Sequence, residues 1–290
     1  MNKLIYIIRH YLIAIRQRLR LLRVMYLPVR ELRRRENNES IVVSLTTYPK
    51  RIDTLHLTIK SLMAQSRPPE KVLLYLGDDV EDKLITKDLR HLVGKGLEIR
   101  TGYENLRSHK KYIFAMQEIE NSLLVLADDD LIYPYDLIET LYKMHCVYPD
   151  CIIARRTHKI SVDANGNILP YGQWVKEYFD ECPIPRKSLV ATTGAGSMYP
   201  PSTFDVLTSH KDVMPKLAIT ADDIWLKVLE AMNGILVVNA PNDCPMPICI
   251  PGTQDSTLAS INNGEDENTK TFERLIEYFQ LKSDSFNDNL

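Results

Sequence analysis

The chain has 290 residues, of which 44% are hydrophobic and 26% are charged, and its formal net charge is −2. This length allows one large or two small domains with a substantial core, and the composition is that of an ordinary globular protein. Residues 1–35 carry ten Lys or Arg and one acidic residue, whereas the rest of the chain carries 26 basic and 37 acidic residues. The acidic body argues against a general nucleic-acid-binding protein. The five cysteines form no C-x-x-C pair, which favours reduced thiols in a cytosolic protein.

The N-terminal segment predicts a basic amphipathic helix. In residues 1–27, "MNKLIYIIRHYLIAIRQRLRLLRVMYL", apolar residues fall on one helical face and arginines on a neighbouring stripe. The longest apolar run is about five residues, far below the roughly 18 that a membrane span needs, and no signal-peptide cleavage site follows. Two interpretations stay open: a helix in a membrane interface with its arginines near anionic head groups, or a helix that packs on the body or on another chain. After Pro28, residues up to 35 predict a polar linker.

Strands and helices alternate through the first half of the body. The predicted elements are, in chain order, strand 41–45, helix 51–66, strand 71–76, strand 97–101, helix 110–120, strand 122–127 and a helix over 133–145 opened by Pro134. This alternation predicts an α/β fold with a mostly parallel central sheet and flanking helices. Ligands of such sheets bind beyond the carboxyl ends of the strands. The polar segments "TTYPKR", "GDD" and "DDD" follow strands at those ends.

The second half changes in character. It predicts a hairpin around Asn165 and Gly166, a loop over 192–201, a helix over 220–234, a strand over 235–239 and a late helix over 269–280. The chain therefore divides into a helix and linker (1–35), a main domain (36–280) and a polar C-terminal tail (281–290). In the loop "TTGAGSMYPP", glycines allow close backbone approach to a ligand, although a plain turn fits equally well.

Three adjacent acids, Asp128, Asp129 and Asp130, follow the apolar strand "SLLVLA". On an extended strand end the first and third side chains point the same way. Such oxygen ligands suit Mg²⁺ or Mn²⁺ and leave coordination positions open for phosphate oxygens. The alternative is a helix N-terminus, but one acid is enough for a cap.

Two more charged pairs stand at helix starts. Lys110 and Lys111 oppose the helix dipole, which indicates an anionic ligand such as a diphosphate; a solvated basic face is the alternative. The neighbouring His109 fits a surface or hydrogen-bonding role better than metal ligation. Asp222 and Asp223 are either helix caps or a general base with a positioning group. No glycine-rich phosphate loop, zinc spacing or hydrolase elbow is present.

Taken in order, "VVSLTTYPKRI", "GDD", "HKKYIFAM", "LLVLADDDLIYP", "TGAGSMYPP" and "ADDIW" cover residues 41–226. This ordered set resembles the GT-A glycosyltransferases, close to the bacterial family 2-like enzymes of capsule, lipopolysaccharide and cell-wall glycan synthesis. The stretch "DDDLIYP" is similar to the metal-binding D-x-D of that fold, and "DDIW" to its later acidic motif. Asp222 stands where Glu is usual. The absence of a Q-x-x-R-W motif speaks against a processive polysaccharide synthase.

The resemblance implies a GT-A fold and a transferase that uses a nucleotide-diphosphate sugar, with a UDP-sugar as the expected donor, and Mn²⁺ or Mg²⁺. It implies a glycan or lipid-linked acceptor and a catalytic base or acceptor-binding carboxylate at Asp223, or alternatively at Asp222. The implied nucleotide-sugar site contains Thr46, Tyr48, Arg51, Asp78, Lys110, Lys111, Asp128 and Asp129. Asp130 and Asp128 would bind the metal, and a sugar loop would contain Gly194, Ala195, Gly196 and Trp225. For Trp225, the residue pattern alone favours a core position over a platform for a sugar ring.

The expected location is the cytoplasmic face of the membrane, with peripheral attachment through residues 1–27. Two other classes stay open. A nucleotidyltransferase would show a glycine-rich phosphate loop after the first strand, and "SLTTYPKRI" contains no glycine. A non-catalytic glycan-binding or scaffold protein would tolerate a broken metal motif or acid pair, and both are intact.

Overall fold

A seven-stranded mixed sheet forms the centre of the molecule. The structure is a computed structural model, and it describes residues 15, 18–33, 39–242, 245–253 and 266–288. The strands of the central sheet are Ile41–Thr46 (β1), Lys71–Gly77 (β2), Leu97–Tyr103 (β3), Leu123–Leu126 (β4), Ile152–Ala154 (β6), Ser197–Tyr199 (β10) and Val237–Asn239 (β11). Two smaller sheets are formed by Leu131–Ile132 (β5) with Ile248–Cys249 (β12), and by Thr157–Lys159 (β7), Val175–Tyr178 (β8) and Leu189–Ala191 (β9).

The strand order of the central sheet is β11-β6-β10-β4-β1-β2-β3. Strands β4, β1, β2 and β3 are parallel to one another, and β6 is parallel to β11. Strand β10 is inserted antiparallel between β4 and β6. The sheet is thus mostly parallel, which confirms the predicted fold class. The sequence analysis missed β10, because its three residues lie inside a segment that was predicted to be a loop.

Helices cover both faces of the sheet. They are residues 18–26 (α1), Ile52–Met63 (α2), Lys87–Val93 (α3), Lys110–Glu118 (α4), Leu137–Val147 (α5), Phe204–Leu207 (α6), Met214–Leu217 (α7), Asp222–Met232 (α8) and Glu267–Phe279 (α9). In β1, Ile41, Val43 and Leu45 pack with α2 and α5, whereas Val42 packs with α4 and α8 on the opposite face. Because both faces are covered, these strands are nearly continuous apolar runs without alternation.

Helix α1 packs on the body along one side. Val24 is buried in a small cluster with Leu57, Ile132 and Ile250, and Nη1 of Arg20 donates to the carbonyl of Met246 at 3.2 Å. The interpretation of a helix that packs on the body is therefore correct for this face. No helix in the described part of the chain is both long and apolar enough to cross a membrane. Most of the predicted 1–27 helix lies outside the described residues.

Three boundaries differ from the prediction. The helix expected from Pro134 begins at Leu137, because the chain first forms β5. Leu32 of the predicted polar linker is buried, and its N–H donates to Lys95 at 2.8 Å. The predicted C-terminal tail packs on the body: Phe286 is fully buried, and Asp288 accepts hydrogen bonds from the backbone and side chain of Ser188. A single aromatic residue in a polar stretch was too weak a signal to predict this anchor.

The structure describes four of the five cysteines. The described cysteines are free, and they are Cys146, Cys151, Cys182 and Cys249.

Candidate active site

The candidate site lies at the carboxyl ends of β1, β2 and β4. The parallel register aligns Ser44 with Leu126, so that the segments after β1 and β4 leave the sheet at the same edge. Lys110 and Lys111 begin α4, which packs on β1 from one face. Helix α8 brings Asp222 and Asp223 to the same place. Clusters that are far apart in sequence thus meet where an α/β sheet usually binds its ligand.

The three consecutive acids face two different cations. The chain turns at Asp129 and Asp130 and does not continue as an extended strand. Asp129 and Asp130 therefore share Arg51, with nitrogen–oxygen distances of 2.6 and 3.1 Å, respectively. Asp128 instead accepts from Nζ of Lys111 at 2.7 Å. The expectation that Asp128 and Asp130 point the same way rested on extended geometry, which the turn removes.

Asp129 is the most buried of the three acids. Its carboxylate accepts from Arg51 and from the hydroxyl of Thr47 at 2.6 Å, and its backbone carbonyl accepts from Thr58. Burial raises the pKa of Asp129 despite these two partners, because desolvation of the charge outweighs them. Burial also acts to lower the pKa of Arg51, but the two acids together raise it. These contacts assign Arg51 and Asp129 to holding the acidic turn against α2.

Lys111 joins Asp128 of the three consecutive acids to the acid pair on α8. Its side chain is 2% exposed, and Nζ lies 2.7 Å from Asp128 and 2.9 Å from Asp222. Burial opposes its charge, but Asp128, Asp222 and Asp223 raise the pKa of Lys111 well above its ordinary value. Lys111 is therefore a fixed cation at the centre of three carboxylates.

The pKa values of Asp222 and Asp223 are shifted in opposite directions. Burial acts to raise the pKa of Asp222, but Lys111 lowers it to about 2. Burial and the neighbouring charge of Asp222 raise the pKa of Asp223 to about 7. The carboxylate of Asp223 accepts from the backbone N–H and the hydroxyl of Thr193 at 3.0 and 2.8 Å. An acid that titrates near neutrality suits a general base, whereas Asp222 stays ionised and balances Lys111.

The neighbours of Lys111 are also buried. Lys110 is 2% exposed, its Nζ donates to Asn105 at 2.8 Å, and burial lowers its pKa. A solvated basic face is therefore wrong for this lysine pair. His109 contacts the hydroxyl of Tyr112 and the carbonyl of Ala218, and burial lowers its pKa to about 4. It is a neutral hydrogen-bonding histidine, as the sequence analysis favoured.

The Gly194 loop closes over Asp128. A Cβ atom on Gly194 would clash with Oδ2 of Asp128, so a larger residue here would displace the Asp128 side chain. The hydroxyl of Tyr133 donates to the carbonyl of Gly194 at 2.6 Å and accepts from the N–H of Asp128 at 2.7 Å. Tyr133 thereby connects the loop to the acidic turn. The sequence analysis missed this residue, although it lies three positions after Asp130 in the motif itself.

Two loop residues have structural surroundings. Gly196 has a φ of +100°, a backbone conformation that favours glycine, and a Cβ atom there would clash with Leu137. It forms the bend that leads into β10. Trp225, placed in the sugar loop as a candidate platform, is 1% exposed and packs edge-on to Phe279 in the core. It cannot offer a ring face to a sugar, which corrects that assignment. Ala195 is buried beside them.

The remaining predicted residues lie around the edge of the site. The hydroxyl of Thr46 donates to the carbonyl of Tyr75 at 2.8 Å, and the guanidinium of Arg51 lies over the ring of Tyr48. Asp78 is exposed just after β2. No hydrogen bond or ion pair joins Thr46 or Asp78 directly to the acid triplet within the ranges that the structure describes.

The carboxylate oxygens of the acid triplet, Asp128 to Asp130, are of the kind that a hard divalent cation prefers as ligands. Lys111 uses Oδ1 of Asp128, the Asp128 side chain is 41% exposed, and Oδ2 faces the Gly194 loop. Asp130 supplies a second carboxylate, which it shares with Arg51. The described residues contain no group of three or more His, Cys, Asp or Glu that could hold a metal by itself. One or two carboxylates completed by phosphate oxygens and water is the usual arrangement of Mg²⁺ in nucleotide sites.

The central sheet with its flanking helices has a GT-A fold, the α/β fold of many glycosyltransferases. The chain is similar to the crystal structure of GalNAc-T7 with UDP, GalNAc and Mn²⁺, with a TM-score of 0.57 and 13% sequence identity. The match covers 86% of this chain and 52% of the other, so the chain spans about half the length of that protein. No protein-family model matches the sequence, and a search of curated proteins gave no match. At this identity the comparison shows the fold.

Proposed function

We propose that the protein is a metal-dependent glycosyltransferase that moves a sugar from a nucleotide-diphosphate donor, with UDP-sugars as the donor class. The acceptor is a glycan or a lipid-linked glycan of cell-surface polysaccharide synthesis. The observation that carries this proposal is the bridge through Lys111. One buried ammonium contacts both Asp128 of the metal motif and Asp222 of the acid pair. A donor site and an acceptor site would have to be adjacent in this way for transfer between them.

The similarity to a structure that contains UDP, a sugar and Mn²⁺ supports the same donor chemistry. In this proposal Asp128 and Asp130 hold the metal, which when bound neutralises the diphosphate oxygens of the donor. Lys110 and Lys111 add fixed positive charge where the leaving group becomes more negative. Both lysines are buried, so water screens their charges little.

Asp223 has the role of general base if the reaction inverts the anomeric centre. It would take the proton of the acceptor hydroxyl while that oxygen bonds to the anomeric carbon and the bond to the diphosphate breaks. The pKa of Asp223, raised to about 7 by burial and Asp222, keeps it basic enough for this transfer near neutral pH. Thr193 holds the carboxylate in place through two hydrogen bonds.

Release of UDP tests the proposal. The full chain is incubated with a panel of UDP-sugars and Mn²⁺, and UDP is measured with and without glycan acceptors. We expect release with at least one donor, its loss on chelation of the metal, and its loss in Asp130→Ala. The matched control is Asp212→Ala, which removes an exposed acid outside the site. UDP binding without release would favour the non-catalytic alternative. Absence of release from every donor, with UDP binding unaltered by Asp130→Ala, would refute the enzyme.

We also propose that α1 attaches the protein to the cytoplasmic face of an anionic membrane. Ile15, Leu19, Leu22 and Tyr26 are exposed by 47–80% and recur at helical spacing on the side opposite Val24. Arg18 and Arg23 flank this stripe and are also exposed. In a helix that lies on a membrane, such an apolar stripe enters the acyl region while the arginines beside it contact anionic head groups.

Co-sedimentation with lipid vesicles tests the attachment. We expect the full chain to bind vesicles that contain phosphatidylglycerol more strongly than pure phosphatidylcholine, with weaker binding at high salt. Leu19→Gln with Leu22→Gln should abolish binding, whereas Val93→Gln, at an apolar residue 45% exposed elsewhere, should not. Equal binding of the double variant would refute the role of the stripe.

A further inference from the structure

A second cationic feature lies near Asp223. Arg156 follows β6 and is tied to the loop that holds Asp223. Its Nε donates to the hydroxyl of Thr192 at 2.8 Å, and its carbonyl accepts from the N–H of the same residue. The next residue, Thr193, donates twice to Asp223. The Arg156 guanidinium is therefore positioned by the same short segment as the proposed base.

The guanidinium of Arg156 makes few polar contacts with the residues that the structure describes. Among the residues described, no carboxylate lies within 4.0 Å of it, and its contact with Thr192 uses one of five N–H donors. Its charge acts on Tyr171, whose pKa burial and Asp223 raise to about 12 while Arg156 opposes the rise. Burial and Asp130 raise the pKa of Cys249, and the charge of Arg156 acts to lower it. Arg156 is half-buried and lies near both Tyr171 and Cys249.

Lys176 on β8 is a second cation beside it. Its Nζ lies over the ring of Tyr171, and the described part of the chain gives it no ion pair. Burial alone lowers the pKa of Lys176 to about 8, since no carboxylate counters the effect. Burial lowers the pKa of His158 to about 4, and the positive charges of Lys176 and Arg156 add to this effect. Within the described residues these two cations have no acidic partner, and they lie around Tyr171 and His158, whose ring centroids are 6.0 Å apart. We call the surface formed by these four residues the ledge.

We propose that Arg156 and Lys176 form a subsite for an anionic group of the acceptor, a carboxylate or a phosphate. The inference deepens the proposed function and rests on it, because it assigns the acceptor of the same site. Lys110 and Lys111 stand on the Asp128 side and would serve the donor diphosphate, which leaves the ledge for a different anion. A guanidinium whose N–H groups are mostly not bonded to the described residues can bind an oxyanion through two parallel hydrogen bonds.

This subsite also orients the acceptor. An anion held on Arg156 would place the adjoining sugar ring against the hydroxyl edge of Tyr171, since the face of that ring is covered by Lys176. The hydroxyl that reacts would then point to Asp223, whose negative charge contributes to the raised pKa of Tyr171. A neutral acceptor would lack this anchor, so the ledge would select acidic acceptors.

Probe binding tests the subsite without turnover. The full chain is saturated with UDP and Mn²⁺ to fill the donor side, and affinities are measured by NMR titration for methyl glucoside, methyl glucuronide and glucose 1-phosphate. We expect at least one anionic probe to bind about tenfold or more tighter than the neutral one, a difference of about 1.4 kcal/mol. The glucuronide and the phosphate arms distinguish an acidic sugar from a phosphate-linked acceptor.

Variants identify the residues. Arg156→Gln and Lys176→Gln should each reduce the preference for the anionic probe and together remove it, while Arg156→Lys should keep part of it. Lys211→Gln, an exposed lysine outside the ledge, should leave it unchanged. Thermal unfolding of each variant shows whether the fold is intact, and Arg156→Lys with Lys176→Gln serves if Arg156→Gln is unstable. No preference in the wild type, or a preference that survives the double variant, overturns the subsite.

The two proposals fail separately. UDP release by the wild type without any anionic preference would overturn only the acceptor subsite. An anionic preference that depends on Arg156, without UDP release from any donor, would leave the anion site in place and overturn the transferase.

Discussion

Removal of Arg51 tests whether the buried pair with Asp129 supports the acidic turn. At 2.6 Å and an effective dielectric constant of about 20, the gross attraction of the two charges is about 6 kcal/mol. Much of this offsets desolvation, because the side chains are only 13% and 6% exposed. In Arg51→Met the Asp129 charge stays buried without its cation. Loss of one partner of a buried pair typically lowers the free energy of unfolding by about 3–5 kcal/mol.

The matched variant is Asp129→Asn, which removes the buried negative charge and keeps an oxygen that can accept from Thr47. We expect it to cost less than about 1.5 kcal/mol, because Arg51 retains Asp130 at 3.1 Å. Urea unfolding of both single variants and the double variant gives the coupling energy, and the double variant should be more stable than Arg51→Met alone. UDP affinity of Asp129→Asn should stay unchanged, since this carboxylate faces the protein.

Two results would refute this reasoning. A loss below about 1 kcal/mol in Arg51→Met would show that solvent or a local rearrangement replaces the pair. A large fall in UDP affinity in Asp129→Asn, with normal stability, would show that Asp129 contacts the donor.

Three further variants address the loop, the C-terminal anchor and the acid pair. Gly194→Ala should displace Asp128 and weaken UDP binding in the presence of Mn²⁺, by calorimetry, while UDP binding in EDTA changes less. Phe286→Ala should lower the free energy of unfolding by about 3–5 kcal/mol in urea titrations, because the ring is fully buried. Asp223 loses its proton near pH 4 when unfolded and near pH 7 when folded, so between these values the folded state holds more protons and stability falls as pH rises. Asp223→Asn should lack this fall between pH 4.5 and 8; an unchanged profile would contradict the raised pKa.

The sequence predicted the parts of the fold that depend on local pattern. Strands such as "KVLLYL" and "SLLVLA" are continuous apolar runs with polar residues directly after them, and the structure places those ends together. Lys110 and Lys111 are buried, which excludes the alternative of a solvated face, but the anionic ligand that their misfit with the helix dipole indicated stays a prediction. Metal, nucleotide and catalytic roles stay predictions that the proposed assays test.

Features that depend on long-range contacts could not be predicted in the same way. Whether Asp130 faces Asp128 or Arg51 depends on a turn that β5 imposes by pairing with β12, more than 100 residues later in the chain. The residue pattern favoured a core position for Trp225, but its contact with Phe279, more than 50 residues later, could not be read from that pattern. The strand β10 has three residues, too few for a periodic signal, and it forms only because β4 and β6 stand on either side of it.

The insertion of β10 between β4 and β6 has a consequence for the order of folding. Neighbours in this part of the sheet are distant along the chain, so each pairing closes a long loop before it gains stabilising contacts. Asp128 follows β4, the loop that holds Asp223 precedes β10, and Arg156 follows β6. A folding intermediate in which β1 to β4 have paired would therefore contain the acid triplet but not its counterpart across the cleft. Because the residues assigned to the donor all lie between Thr46 and Asp130, we expect nucleotide binding to appear before the slowest phase of sheet formation in refolding, and sugar transfer only after it.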